Sequence, residues 1–211
     1  IGWIREVIYS NEVATKFVRE LALRAQAKGM AGINFDWEPE TAMTNADGIA
    51  FADFFLLARK VAFEATGGSN LTLSVDVTDY NPLSSNWTAL NTAMKAPIKS
   101  NLLFNNHQQQ QMTTTMVPLG AIIPMSTYAY DDHYFIPRLQ KEVAAIDSDV
   151  LTVGLMSWNS RPAEMNSTKV AYRMGALAAT NVCSIAIWVV PIPEIWWAPL
   201  AQFKTRCRDG W

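Results

Sequence analysis

The sequence predicts an α/β protein whose strands lie parallel, with a β/α barrel as the specific architecture. Three observations carry that expectation. Short apolar runs rich in β-branched residues alternate with longer stretches of helical period along the 211 residues. The runs are apolar throughout, as strands covered on both faces are, and the intervening helices make them repeated βαβ units. Polar side chains collect where several runs end: Asp36 and Glu38, Asp76 and Asp79, Tyr130 and Asp131, Trp158 and Asn159, and Trp188. In a barrel those ends form one mouth, the place where barrel enzymes keep their chemistry. The rival doubly wound sheet needs a glycine-rich turn after an early strand, and "GGSN" at Gly67 precedes a strand and lacks that spacing.

Each element has its own justification. Asn11 followed by "EVATKFVRELALRAQAKG" offers a cap, an early Glu12, apolar residues at three-and-four spacing and Gly29 as a stop, hence a helix. It feeds the strand opening at Gly32. A strongly apolar helix, "ADGIAFADFFLLARKVAFEAT", closes at Gly67 and Gly68 and leads into the strand "NLTLSVDV". The alternation resumes with strand residues in "GAIIPMSTYAYDD", a helix around "YFIPRLQKEVAAI", the strand "DVLTVGLMSW", a helix around "STKVAYRMGALAAT" and the strand "CSIAIWVVP". A last helix is expected to begin near Pro199. Between them, "FNNHQQQQMTTT" is a polar low-complexity insert that reads as a surface loop.

Composition narrows the function. Half the residues are apolar, enough for a sizeable core in a single domain of residues 1–211. Seventeen basic against nineteen acidic side chains give a net charge of −2 without a block of one sign, so nucleic acid and anionic membrane surfaces are not expected partners. No apolar run reaches the roughly 20 residues that span a bilayer. The chain opens on Ile1 without a signal-peptide pattern and reads as a cleaved or truncated product. Cys183 and Cys207 suit one bridge or two buried thiols equally, and neither they nor His107 and His133 have metal-site spacing. No metal or cofactor is expected. Sequons at Asn70, Asn86 and Asn166, against about two expected by chance, point to a secreted or lysosome-like compartment.

The stretch "GINFDWEPE" is the informative one. Asn34, Asp36 and Glu38 recur at a spacing of two, so they share one face of a strand, with Glu38 furthest toward its carboxyl end. Polar groups inside an apolar barrel must hydrogen-bond to one another or to something that enters. A purely structural network is one reading. The other is a carboxyl pair whose repulsion and burial keep one member protonated at neutral pH, with Glu38 the acid and Asp36 its partner. Strand-end residues taken singly also fit helix capping, and for Asp76, Asp79 and Asn159 the two readings stand equal.

"AGINFDWEPE" resembles the signature strand of the family 18 glycoside hydrolases, the chitinases and their relatives, whose motif runs D-G-x-D-x-D-x-E on the fourth barrel strand. Gly32, Asp36 and Glu38 match. Ala31 stands in place of the first Asp and Asn34 in place of the innermost Asp of the trio, an asparagine also found in the chitobiase-like branch. "LTLSVDV" would then be the fifth strand and "MSTYAYDDH" the sixth, where the family carries M-x-Y-D. Aligning Tyr130 and Asp131 with that Tyr-Asp needs no gap and is preferred; aligning from Met125 makes Tyr128 the tyrosine. "LTVGLMSW" resembles the seventh strand and "SIAIWVV" the eighth, whose tryptophan, Trp188, would floor a sugar subsite. The resemblance runs from about Asn11 to about Phe203. It implies a partial barrel of the fourth to eighth strands, with the first three to be supplied elsewhere in the full-length chain or by a partner.

That family resemblance also implies hydrolysis of β-1,4-linked N-acetylglucosamine oligomers or polymers by a retaining mechanism in which the substrate's own acetamido group is the nucleophile. Glu38 would be general acid and base, Asp36 would orient the acetamido group, and Tyr130 and Asp131 would hold its oxygen. Asn34, Trp188, Tyr128, Trp158 and Asp76 would bind the sugar. Two other classes are compatible: a carbohydrate-binding lectin on the same scaffold, which has no need of Glu38, and a sugar-phosphate barrel enzyme, which lacks its glycine-rich phosphate loop here.

Overall fold

The computed structural model describes residues 2–37, 43–78, 86–106, 109–125, 132–157, 166–188 and 191–209, without the side chains of 100–115, 132, 208 and 209. The elements in order are α1 (Gly2–Tyr9), α2 (Asn11–Ala27), β1 (Gly32–Phe35), α3 (Asn45–Ala65), β2 (Thr72–Val77), α4 (Trp87–Lys95), β3 (Lys99–Asn106), β4 (Gln109–Met116), β5 (Ala121–Pro124), α5 (Asp132–Ala145), β6 (Val153–Met156), α6 (Ser167–Ala179), β7 (Ile185–Trp188) and α7 (Trp197–Asp209). A 3₁₀ turn at Glu194–Trp196 precedes α7. The chain forms two compact units, Ile1–Ile122 and Ile123–Trp211.

In the first unit β1 and β2 run parallel, pairing Gly32 with Thr72, Asn34 with Ser74 and Phe35 with Val75, and β5 lies beside β2. The close approach of the two strands depends on Gly32, since a Cβ there would run into the carbonyl oxygen of Thr72. Helix α2 is capped by Ser10 rather than Asn11: the Ser10 hydroxyl accepts from the Val13 N–H at 3.3 Å. Asn11 is the first helical residue, and either side chain could have served from sequence alone. The helix stops at Gly29, whose φ of 65° takes the left-handed conformation that closes helices.

Apolar residues of β2 alternate strictly, with Leu73, Val75 and Val77 buried and Thr72 exposed. Phe35 shares that buried side and packs edge-on against Phe54 and Phe55 of α3, with ring centroids 5.6 and 5.3 Å away. Such pairs add about 0.5–1.5 kcal/mol each beyond the area they bury. Deep in the same unit Arg59 donates to three main-chain carbonyls, Ala93 at 2.6 Å, Ala96 at 3.0 Å and Pro118 at 3.1 Å. It thereby ties α3 to the end of α4 and to the approach to β5. Burial lowers the affinity of its guanidinium for a proton, and the carbonyl ring compensates.

The segment expected to be a surface loop is half of an antiparallel hairpin: β3 and β4 pair from Lys99–Met116 to Asn106–Gln109. Composition misleads here because the ladder is made by main-chain groups, which Gln and Asn carry like any residue, while Thr113 to Thr115 favour extended backbone.

Asp47 anchors α1 to α3. Arg5 grips its carboxylate with two parallel bonds, 3.0 and 2.9 Å, Tyr9 donates at 3.1 Å, and Thr44 completes a reciprocal capping box. The Arg5 bonds first, then the Thr44 N–H, hold the Asp47 carboxyl well below the usual carboxylate range. A depressed pKa contributes stability that is complete above the unfolded value, about 4, and lost as pH falls through the folded one. Asp47→Asn is therefore expected to cost about 2 kcal/mol at pH 7. Thermal midpoints of the two proteins should converge as pH drops below about 4; a constant gap down to pH 2 would contradict this role.

In the second unit β6 and β7 are parallel, with Val153 opposite Ile185 and Met156 opposite Trp188. All of β6 is buried. The Arg173 guanidinium of α6 lies 4.6 Å from the ring centre of Phe135 in α5, a cation over an aromatic face. Cys183 and Cys207 are disulfide-bonded, which settles the choice the sequence left open and fastens the approach to β7 onto α7. Closing a loop of 24 residues is worth about 3 kcal/mol in the chain-entropy picture. Among the described residues no helix is long and apolar enough to cross a membrane, and no three His, Cys, Asp or Glu side chains are grouped to hold a metal.

Candidate functional site

The polar row on β1 is built by its alternation. Phe35 and Trp37 are directed to the helix side, and Asn34 and Asp36 to the other. Trp37 is the anchor of that arrangement, stacked on Phe54 at 5.3 Å, tilted over Phe51 at 5.5 Å and Phe17 at 6.2 Å, and met edge-on by Trp3 at 5.4 Å. With its two odd-numbered neighbours locked among aromatic rings, Asp36 has one direction left. The next residue in the chain after the anchor is Glu38.

On β2 the same face carries Ser74 and Asp76, interleaved with the buried Leu73, Val75 and Val77. The two strands are joined across this face by side chains. Asn34 Nδ2 donates to Ser74 Oγ at 3.0 Å and to Asp76 Oδ1 at 3.5 Å, and the Ser74 hydroxyl donates to the Ile33 carbonyl at 3.5 Å. Asp76 therefore sits within β2 and faces Asn34. Beyond the last paired residues, Phe35 and Val75, each strand carries an aspartate, so that Asp36 and Asp76 stand at the carboxyl end of the pair.

The burial expected of the row is not found. Asn34 and Asp36 are exposed and Asp76 is half-buried, because α2 and α3 cover only the Phe35 face. The Trp188 ring, at the carboxyl end of β7 in the second unit, is 53% exposed. Its carbonyl accepts from both the Ser157 N–H and the Ser157 hydroxyl at 3.1 Å, which fixes its backbone while leaving the ring open.

Of the residues singled out in the sequence, the structure brings Asn34 and Asp76 together across β1 and β2, leaves Asp36 exposed just beyond β1, and places Trp188 at a strand end. Glu38, Tyr128, Tyr130, Asp131, Trp158, Asp79 and Asn159 lie outside the described residues. Ser74 was missed, although its signal was present: Thr72, Ser74 and Asp76 keep a period of two within an otherwise apolar strand. The row can accept and donate hydrogen bonds and carries two carboxylates on an accessible sheet face, chemistry suited to a polyhydroxylated or amide-bearing ligand.

No family model matches the sequence, and no curated protein matches it. Solved structures do match in fold. A chitinase from Chromobacterium violaceum superimposes with a TM-score of 0.65 at 15% identity, over 95% of this chain and 74% of that one. A class V chitinase from Pseudomonas fluorescens gives 0.64 at 12% identity, over 94% of this chain and 74% of its own. The spore cortex-lytic enzyme SleL of Bacillus cereus gives 0.66 at 11% identity, over 93% of this chain and 54% of the enzyme. The chain thus shares the fold of these enzymes along nearly all its length, while spanning about three quarters of each chitinase and about half of SleL. At such identities it is the fold that is shared.

Proposed function

We propose that the chain is part of the catalytic domain of a family 18 glycoside hydrolase that cleaves β-1,4-linked N-acetylglucosamine oligomers or polymers. One observation carries the reading: a hydrogen-bonded polar row of Asn34, Ser74 and Asp76 joins two parallel strands on one face, in a fold shared with chitinases and a cortex-lytic enzyme. In this reading the 211 residues form one domain contributing the fourth to eighth strands of a β/α barrel, and the full-length protein supplies the first three.

The chemistry follows from the substrate. Glu38 protonates the glycosidic oxygen as the acetamido carbonyl oxygen attacks the anomeric carbon from the opposite face. The C–O bond breaks, the departing sugar leaves with the proton, and an oxazolinium ion remains. Water, deprotonated by the Glu38 carboxylate, then opens that ring, so two inversions give net retention. Asp36 orients the acetamido N–H and stabilises the positive charge that develops on it, while Tyr130 and Asp131 hold the acetyl oxygen. Trp188 offers a flat apolar floor for a pyranose ring, with Tyr128 and Trp158 as further contacts and Asn34 and Asp76 on the row. The disulfide supports an oxidising, secreted or lysosome-like compartment.

A lectin on the same scaffold is the second reading, favoured by the open Trp188 ring, which suits binding as well as catalysis. The full-length protein is expected to release chromophore from a short chromogenic N-acetylglucosamine oligomer. Saturable binding of that oligomer with no release would leave the lectin in front.

A further inference from the structure

The Asn34 amide is more constrained than an exposed side chain needs to be. It has two N–H donors and one carbonyl acceptor. Ser74 Oγ and Asp76 Oδ1, both on the neighbouring strand, take the two donors, at 3.0 and 3.5 Å. The Ser74 hydroxyl hydrogen is itself directed to the Ile33 carbonyl, so Ser74 can only accept from Asn34. Along this chain Asn34 Nδ2 is the donor to β2, and the carbonyl oxygen Oδ1 is the amide atom left without a bond to that strand.

We propose that Asp76 is a positioning residue of the proposed reaction: by holding Asn34 Nδ2 against β2, it presents Asn34 Oδ1 as an acceptor on the row that includes Asp36. The inference rests on the reading of that row as catalytic. An aspartate in place of Asn34 would face Asp76 as a second carboxyl group, a pair that holds together only with one member protonated, where a donor and an acceptor now meet at any pH. The carboxylate and the amide are thus a matched acceptor and donor, and exchanging the two together restores the match. Ser74 alone would leave one amide hydrogen uncommitted and the amide free to turn over. Since α2 and α3 pack on the opposite face, the pair can be altered without disturbing the core.

The test is a cycle of variants in the full-length protein, read on an N-acetylglucosamine oligomer. Asp76→Ala is expected to lower kcat roughly ten- to a hundredfold with KM changed less than about threefold, as misplacement near reacting groups does. Asp76→Asn keeps an acceptor and should lose less. Asn34→Asp should lose at least as much as Asp76→Ala. The exchanged double variant, Asn34→Asp with Asp76→Asn, rebuilds the bond in reverse and should exceed the product of the two single effects by at least about tenfold. Thermal midpoints should stay level across the set. Strictly multiplicative single effects in an active enzyme would overturn the proposal and leave the hydrolase reading standing. If the wild type cleaves nothing, the hydrolase reading fails. The contact is then decided by the Asn34 side-chain amide signals of ¹⁵N-labelled protein: a shift on Asp76→Ala upholds the pairing, and unchanged signals overturn it.

Discussion

Exchanging Glu38 for glutamine is expected to lower turnover on N-acetylglucosamine oligomers by at least about a hundredfold while leaving their binding close to wild type. Glutamine keeps the size and hydrogen-bonding reach of the side chain and removes the proton that the leaving oxygen requires. General-acid help of this kind is worth roughly 10²–10⁴-fold, and Glu38 follows the Trp37 anchor directly in the sequence. The Trp37 ring is stacked on Phe54, so the substitution one residue later leaves the packing that aims the strand intact. Steady-state kinetics with a parallel calorimetric affinity separates the two quantities. Turnover unchanged by the substitution would remove Glu38 from the mechanism.

An effect of similar size is expected from changing the substrate instead of the protein. A chitosan oligomer with a free amine on the sugar next to the cleaved bond has no acetyl oxygen to attack the anomeric carbon. It should occupy the site and remain uncut, with turnover lower by at least about a hundredfold, because the intramolecular nucleophile and its effective concentration are both gone. Product analysis of a partly acetylated oligomer reports this directly: every cut should fall after an acetylated sugar. Cuts distributed without regard to acetylation would show that a protein group or water attacks instead, and the acetamido role assigned to Asp36 would fall with that result.

How much of this was legible in the sequence differs from element to element. The shared face of Asn34 and Asp36 follows from a period of two, and the alternation in β2 that brings Asp76 beside Asn34 is found. Their exposure was not legible, because burial of a strand face is decided by what other elements cover it. The pattern of β1 says which residues pair sides and nothing about the second cover. The role of Trp37 was not legible, because its aromatic neighbours come from α1, α2 and α3, far apart in sequence. The β3–β4 hairpin was hidden by composition, since a polar low-complexity stretch gives no hydrophobic alternation to read. Helices α1 and α4 are short, and neither was expected. Cys183 and Cys207 were visible as a pair of thiols, but their bridging depends on a Cα separation of 5.5 Å that only the folded chain supplies.

The central claim, that the acetamido group of the substrate is the nucleophile and Asp36 its partner, is tested most directly by a pair of affinities. The stable thiazoline, in which sulfur replaces the acetyl oxygen of the cyclised sugar, copies the oxazolinium intermediate; the N-acetylglucosamine dimer copies the ground state. In the wild-type protein the thiazoline is expected to bind at least about a hundredfold more tightly than the dimer, and in Asp36→Ala that advantage should shrink to within about tenfold. Equal affinities for the two ligands, unaltered by the substitution, would contradict substrate-assisted catalysis and identify the row as a carbohydrate-binding surface.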